Sequence, residues 1–134
     1  MPINIQSFFT NSNFVWTSEN FQNIILNKYE PSQGAQPASF SNLQNVEPDT
    51  DLHKFVFENA DSFLENLAQL IKNQADGKEG DLLNDSSANT FFVLGKDGRH
   101  YSVLVRWEQA QKLWRCGAYL QEELKLPNIR IFYP

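Results

Sequence analysis

Apolar and polar residues alternate along the C-terminal part of the chain, from Thr90 onward. A period of two is typical of β-strands, because successive side chains point to opposite faces of a sheet. Two turn-like segments, 95–99 and 108–111, interrupt the alternation. The first holds a three-residue loop ending in Gly98, which suits a type I turn closed by a left-handed residue. The pattern therefore predicts three consecutive antiparallel strands joined by two hairpins.

The two hairpins predict strand registers that can be compared with each other. The first loop pairs Val93 with Tyr101. A four-residue loop over 108–111 pairs Val105 with Trp114. Both registers place the same apolar set on one side, and a slip of one residue would send Trp114 to the other side. We call this side the core face: Phe91, Val93, Tyr101, Val103, Val105, Trp107, Trp114, Cys116, Ala118 and Leu120.

The opposite side of the predicted sheet, which we call the second face, mixes apolar and cationic residues. It is too apolar for a solvated surface and too cationic for a core. Arginine beside aromatic side chains is typical of protein interfaces. A simpler interpretation is that an N-terminal helix covers part of this face and the arginines reach its rim. The second face comprises Phe92, Leu94, His100, Ser102, Leu104, Arg106, Leu113, Arg115, Gly117 and Tyr119.

The sequence also predicts two helices. A short one begins near Ser18 and ends about Tyr29, before Pro31. A long amphipathic helix is predicted over 51–73, because one apolar stripe runs through it without a change of phase. The competing interpretation makes residues 54–58 a strand and starts the helix at Asp61, since Ser62 and Glu65 have the spacing of a capping box.

These elements predict one domain over residues 1–134, of class α+β. An antiparallel meander of three or four strands packs on the long helix, with the shorter helix beside it. A last strand, 128–133, extends the sheet. Residues 31–48 form a long proline-containing loop, and residues 75–89 form an acidic surface loop.

Charge narrows the classes of partner. The formal net charge is −5 and the pI is near 4.9, so nucleic acid and anionic membrane are disfavoured partners. The charge is uneven: residues 51–89 hold eight acidic and three basic residues, whereas residues 90–134 hold four acidic and seven basic ones. Packing of the acidic middle segment against the basic sheet would explain this asymmetry.

The chain carries little of the chemistry that enzymes use. Its one cysteine, Cys116, is predicted on the core face, whereas His100 is predicted on the second face, so the two cannot form a thiol–imidazole pair. A pair of Cys116 with His53, beside the helix stripe, is geometrically allowed, but a buried inert thiol is favoured. Metal-ligand spacings and phosphate-binding loops are absent from the sequence, which predicts no catalytic residue, no metal and no cofactor.

Two functional hypotheses follow. The first is a non-enzymatic protein-interaction module that binds a protein partner through the second face. Its predicted partner-binding residues are Phe92, His100, Arg106, Leu113, Arg115 and Tyr119. The second is a small-ligand binder or enzyme with a pocket between helix and sheet. Its predicted pocket residues are His53, Tyr101, Trp107 and Trp114.

The cellular setting is predicted from composition alone. The N-terminus lacks a basic segment followed by an apolar run, and no run is long enough to cross a membrane, which predicts a cytoplasmic protein. Frequent Asn, Gln, Phe and Ile suit an A/T-rich genome of a bacterium or phage. An accessory or host-directed factor, including one delivered to a host cell, is consistent with this composition.

Overall fold

A mixed β-sheet with helices on one face forms the centre of the fold. The structure is a computed structural model that describes residues 4–31 and 56–120, together with the backbone of residues 130–132. A π-helix spans Phe21–Leu26. The other elements are α1 (Ile5–Asn11), β1 (Val15–Thr17), β2 (Val56–Phe57), α2 (Ala60–Asn73), β3 (Asn89–Leu94), β4 (His100–Glu108), β5 (Leu113–Leu120) and β6 (Arg130–Phe132).

The strand order is β1-β5-β4-β3, and β2 and β6 pair with successive parts of β3. Strands β3, β4 and β5 are antiparallel neighbours, but β1 pairs with β5, and β2 and β6 pair with β3, in parallel. The α+β class is therefore confirmed, whereas an all-antiparallel meander is wrong. Tight hairpins enforce antiparallel pairing only between β3, β4 and β5; strands distant in sequence are free to add in either direction.

The predicted register of the first hairpin is confirmed, with Val93 opposite Tyr101. That of the second is wrong by two residues, since Trp114 lies opposite Trp107 and Cys116 lies opposite Val105. The turn occupies residues 109–112 and includes a left-handed Lys112 with φ 54°. A shift of two preserves the face of every side chain, because the strand period is two.

The face assignment survives the shift of register. Nine of the ten predicted core-face residues are buried, and Leu120 is partly buried against them. Helix α2 contributes Phe63, Leu64, Leu67 and Ile71 to the same hydrophobic cluster. Full burial of such side chains stabilises the fold by about 1.5–3 kcal/mol each.

The long helix predicted over 51–73 is wrong at its start. Helix α2 begins at Ala60, and Val56–Phe57 forms strand β2, so the competing interpretation is closer. The helix cap is Asn59, whose side-chain oxygen accepts a hydrogen bond from the Ser62 amide at 3.0 Å. Both residues of β2 are buried. A strand that is buried on both faces is apolar throughout, so in the sequence it cannot be distinguished from a continuation of the apolar stripe of the helix. The predicted helix residues before Val56 lie outside the described part.

The N-terminal elements cover the core face. Phe21 and Ile25 of the π-helix, and Phe9 of α1, are buried in the cluster formed with α2 and the sheet. The short helix predicted over 18–29 is thus largely a π-helix, and α1 was not predicted at all. Because these elements lie on the core face, the interpretation that the N-terminal helix shields the second face is wrong.

The segment after α2 is anchored by one buried glutamine. The Gln74 side chain donates to the carbonyl oxygens of Lys78 at 2.8 Å and Leu82 at 3.0 Å, and accepts from the Leu82 amide at 2.8 Å. Its own carbonyl oxygen accepts from the Trp114 indole at 2.7 Å. A Cβ at Gly80 would lie 2.5 Å from the Gln74 Cδ atom, so a side chain there would displace the buried glutamine. These bonds attach the acidic segment to the core.

We expect Gln74→Ala to lower the free energy of unfolding by about 2–4 kcal/mol, because the buried Leu82 amide loses its hydrogen-bond partner. Urea denaturation measures this difference. Gln69→Ala, at an exposed position of the same helix, is the matched control and should change the free energy by less than about 0.5 kcal/mol. Equal effects of the two substitutions would contradict the anchoring role of Gln74.

Candidate functional site

The parallel pairing of β1 with β5 adds a tryptophan to the second face. Val15 and Thr17 are buried, whereas Trp16 between them is 43% exposed. The register places Trp16 opposite Arg115. This pairing could not be predicted from the sequence, because three residues cannot specify which strand of a sheet they pair with.

An open groove of about 240 Å³ lies on this part of the second face. Trp16 and Tyr119, 43% and 42% exposed, are the large hydrophobic residues most exposed to solvent among those described, and both line the groove. We call this site the Trp16–Tyr119 groove. Its lining consists of Trp16, Leu104, Arg106, Arg115, Gly117 and Tyr119.

Two arginines face each other across neighbouring strands in this groove. Arg106 on β4 is exposed and lies directly opposite Arg115 on β5. The Arg115 guanidinium carbon lies 4.5 Å from the centre of the Trp16 ring, a cation–π contact. Like charges directly opposite each other destabilise a sheet. Neither guanidinium forms a salt bridge with a carboxylate of the described residues.

The position of α2 explains why its acidic residues do not neutralise Arg106 and Arg115. The acidic middle segment was predicted to pack against the basic sheet and so balance it. Helix α2 does pack on the sheet, but on the core face. Arg106 and Arg115 point to the other side, so packing of α2 leaves the charge asymmetry at this face in place.

The Tyr119 ring lies along the sheet above Gly117. A Cβ atom built on Gly117 would lie 3.0 Å from both the Tyr119 Cε2 atom and its hydroxyl oxygen. Gly117 is paired with Leu104 on β4. The absence of a side chain at Gly117 therefore lets the phenol ring rest on the floor of the groove beside the arginines.

The structure brings together three of the six predicted partner-binding residues. Arg106, Arg115 and Tyr119 line the groove, whereas Phe92, His100 and Leu113 do not. Phe92 is 4% exposed, and His100 and Leu113 are partly buried. Alternation along a strand assigns a residue to a face, but position across the sheet decides whether that face is exposed there.

The predicted pocket residues within the described part belong to the core. Trp107 and Trp114 pack with ring centres 5.3 Å apart, and their indole N–H groups donate to Gln109 and Gln74, respectively. Burial, together with a hydrogen bond from its hydroxyl to Asp97, raises the pKa of Tyr101. His53 lies outside the described residues, so the pocket hypothesis stays a prediction.

Cys116 and His100 lie on opposite faces of the sheet, as the alternation predicts. Cys116 is completely buried, and this burial raises the pKa of its thiol well above the ordinary value. A buried neutral thiol is a poor nucleophile. This environment is that of an inert core residue rather than a reactive one.

No protein-family model, curated protein or solved structure matches the chain. Over the part of the chain that the structure describes, no helix has the length and apolar character needed to cross a membrane. Function is therefore inferred from the chemistry of the exposed surface.

We expect iodide to quench the fluorescence of Trp16 selectively, because the other two of the three tryptophans are buried. Trp16→Phe should abolish most of the iodide quenching, whereas Trp107→Phe should retain it. Arg106→Glu should reduce quenching by iodide more than quenching by neutral acrylamide, since the arginines concentrate the anion. Stern–Volmer measurements on the four proteins check these expectations; quenching that persists in Trp16→Phe would contradict the assigned exposure.

We expect Cys116 to make stability fall at alkaline pH. The unfolded thiol ionises near its ordinary pKa of 9.0, whereas burial keeps the folded thiol protonated. The contribution of the thiol to the free energy of unfolding is thus fully present below pH 9.0 and is lost as pH rises above it. Between about pH 8 and 10, unfolding free energy should decrease by about 1.4 kcal/mol more in the native sequence than in Cys116→Ala.

Urea denaturation of both proteins across this pH range measures the difference. Cys116→Ala is the internal control, because tyrosine ionisation affects both proteins equally. Parallel pH profiles would mean that the thiol ionises in the folded state and is not buried as described.

Proposed function

We propose that this chain is a non-enzymatic protein-interaction module that binds a protein partner at the Trp16–Tyr119 groove. One observation carries the proposal: the two most exposed large aromatic residues of the described part lie together, beside two opposed arginines. Tryptophan, tyrosine and arginine are the residue types most enriched at the energetic centres of protein interfaces.

The dimensions of the groove support a protein partner over a small ligand. Small-molecule pockets usually enclose about 300–1,000 Å³ and surround most of the ligand. The groove is smaller, at about 240 Å³, and open to solvent along the sheet. Such a volume suits one or two side chains of a partner, with further contacts made over the surrounding surface.

The rigidity of the site also supports binding. Trp16, Arg106, Arg115 and Tyr119 all project from paired strands rather than from loops. Because the sheet already orders their backbone, little backbone entropy is lost when a partner docks. The opposed arginines store electrostatic repulsion that a complementary partner would relieve.

The biological setting belongs to the same proposal. A bacterial or phage-type accessory or host-directed factor, working in the cytosol, is supported by amino-acid composition alone. The proposal for the groove does not depend on this setting.

We expect the double reversal Arg106→Glu/Arg115→Glu to reduce partner capture at least about tenfold, because it removes both cations of the groove. Affinity purification with crosslinking from cells that express the chain natively, quantified by mass spectrometry, measures capture. Trp16→Ala/Tyr119→Ala should abolish capture of the same protein. Melting temperatures should change by less than about 5 °C, since all four sites are at the surface.

Lys72→Glu/Lys78→Glu is the matched control, because it makes the same change in net charge at two exposed lysines outside the groove. This control variant should capture as much of the partner as the native sequence does. A partner that binds all three double variants equally would show that the groove is not the binding site.

A further inference from the structure

We infer that the partner is recognised through an acidic side chain whose carboxylate bridges Arg106 and Arg115, with an adjacent apolar side chain seated against Tyr119. This inference rests on the proposed function and specifies the chemistry of the partner. It commits the groove to one kind of occupant, a segment of another protein that carries aspartate or glutamate beside an apolar residue.

The opposed arginines supply the charge complementarity. Directly paired residues on antiparallel strands have Cβ atoms about 4.5–5.5 Å apart, and the side chains of both arginines line the groove. They lack a carboxylate partner among the described residues. A carboxylate has two oxygens and accepts bidentate hydrogen bonds from guanidinium groups. One acidic side chain between Arg106 and Arg115 would therefore neutralise the repulsion of both.

Trp16 prepares one of these arginines for recognition. Its ring lies 4.5 Å from the Arg115 guanidinium carbon, which limits the orientations of that group. Stacking on an aromatic face leaves the N–H groups at the edge of the guanidinium plane available to an acceptor. Arg106 makes no cation–π contact within the described part of the chain and is exposed, which leaves its side chain able to turn toward a bound carboxylate.

The floor of the groove supplies the apolar half of the site. Gly117 adds no side chain, the Tyr119 ring lies against it, and Leu104 is its partner on β4. This surface offers an aromatic ring and a mostly buried leucine beside the charged pair. An apolar side chain of the partner, next to its acidic residue, would pack against Tyr119 and Leu104.

A polyanion such as nucleic acid fits this site less well. Nucleic-acid binding requires several cations that follow a phosphate backbone. The groove contributes two arginines, and the chain as a whole has a formal net charge of −5. A single carboxylate interacts mainly with the local pair, whereas an extended polyanion is also repelled by the remaining negative charge.

Peptide selection on the full chain tests the inference. A displayed library of random peptides is selected on the native sequence and, in parallel, on Trp16→Ala/Tyr119→Ala, and peptides that require the groove are retained. We expect these to be enriched in an acidic residue next to an apolar one. For the best synthetic peptide, replacing its acidic residue by Gln or Asn should weaken binding at least about tenfold, as measured by Trp16 fluorescence.

Charge variants provide the matched comparison. Arg106→Glu/Arg115→Glu should also weaken binding at least about tenfold, whereas Lys72→Glu/Lys78→Glu should not change it. Affinity for the acidic peptide should fall as salt concentration rises. An oligothymidylate probe should bind more weakly than the peptide.

The possible failures are distinguishable. Groove-dependent peptides that are neutral or basic, or that bind equally after the acidic residue is replaced, would overturn the acidic partner while leaving the proposed function in place. Tighter binding of the oligothymidylate through Arg106 and Arg115 would overturn it in favour of nucleic acid. Self-association that is lost in Arg106→Glu/Arg115→Glu but kept in the lysine control would assign the groove to a second copy of the chain. Failure to obtain any groove-dependent peptide, together with groove-independent capture, would overturn both proposals.

Discussion

The packing of α2 on one face of strands β3–β5 is the constraint on which the other features of the structure depend. Once that face is buried, the strand period of two assigns every other side chain to the opposite face. This single geometric fact makes Cys116 an inert core thiol, separates it from His100, and directs Arg106 and Arg115 away from α2. The chemistry available at the surface follows from the packing of the core.

Strand β1 completes the groove on the second face. Without it, β5 would end the sheet beside Arg115, and the guanidinium would lack its aromatic partner. Parallel addition of β1 places Trp16 there and leaves its ring half exposed. Gly117 then allows the Tyr119 ring to approach the sheet, so that Trp16 and Tyr119 line the groove together with the two arginines. The two paired arginines give this groove a positive charge.

Much of the central fold was readable because hairpins are local. The loop around Gly98 determines the register of β3 and β4, and the alternation of apolar residues determines their faces. The second hairpin was misplaced by two residues because a left-handed Lys112 has no sequence signature comparable to glycine. Its faces were still correct, since a shift by a full strand period changes pairing but not orientation. The start of α2 was missed because Val56 and Phe57 are both buried, which removes the polar interruption that would mark a strand.

The candidate site shows the same division. Alternation along a strand is a local property, so the sequence was sufficient to assign Arg106, Arg115 and Tyr119 to a face opposite the core. The presence of Trp16 beside them, the burial of Phe92 and the packing of the N-terminal helices on the core face are evident only from the folded chain. These features depend on which distant segments pack against each strand. Such contacts are chosen by the burial of the whole chain, which no short stretch of residues specifies.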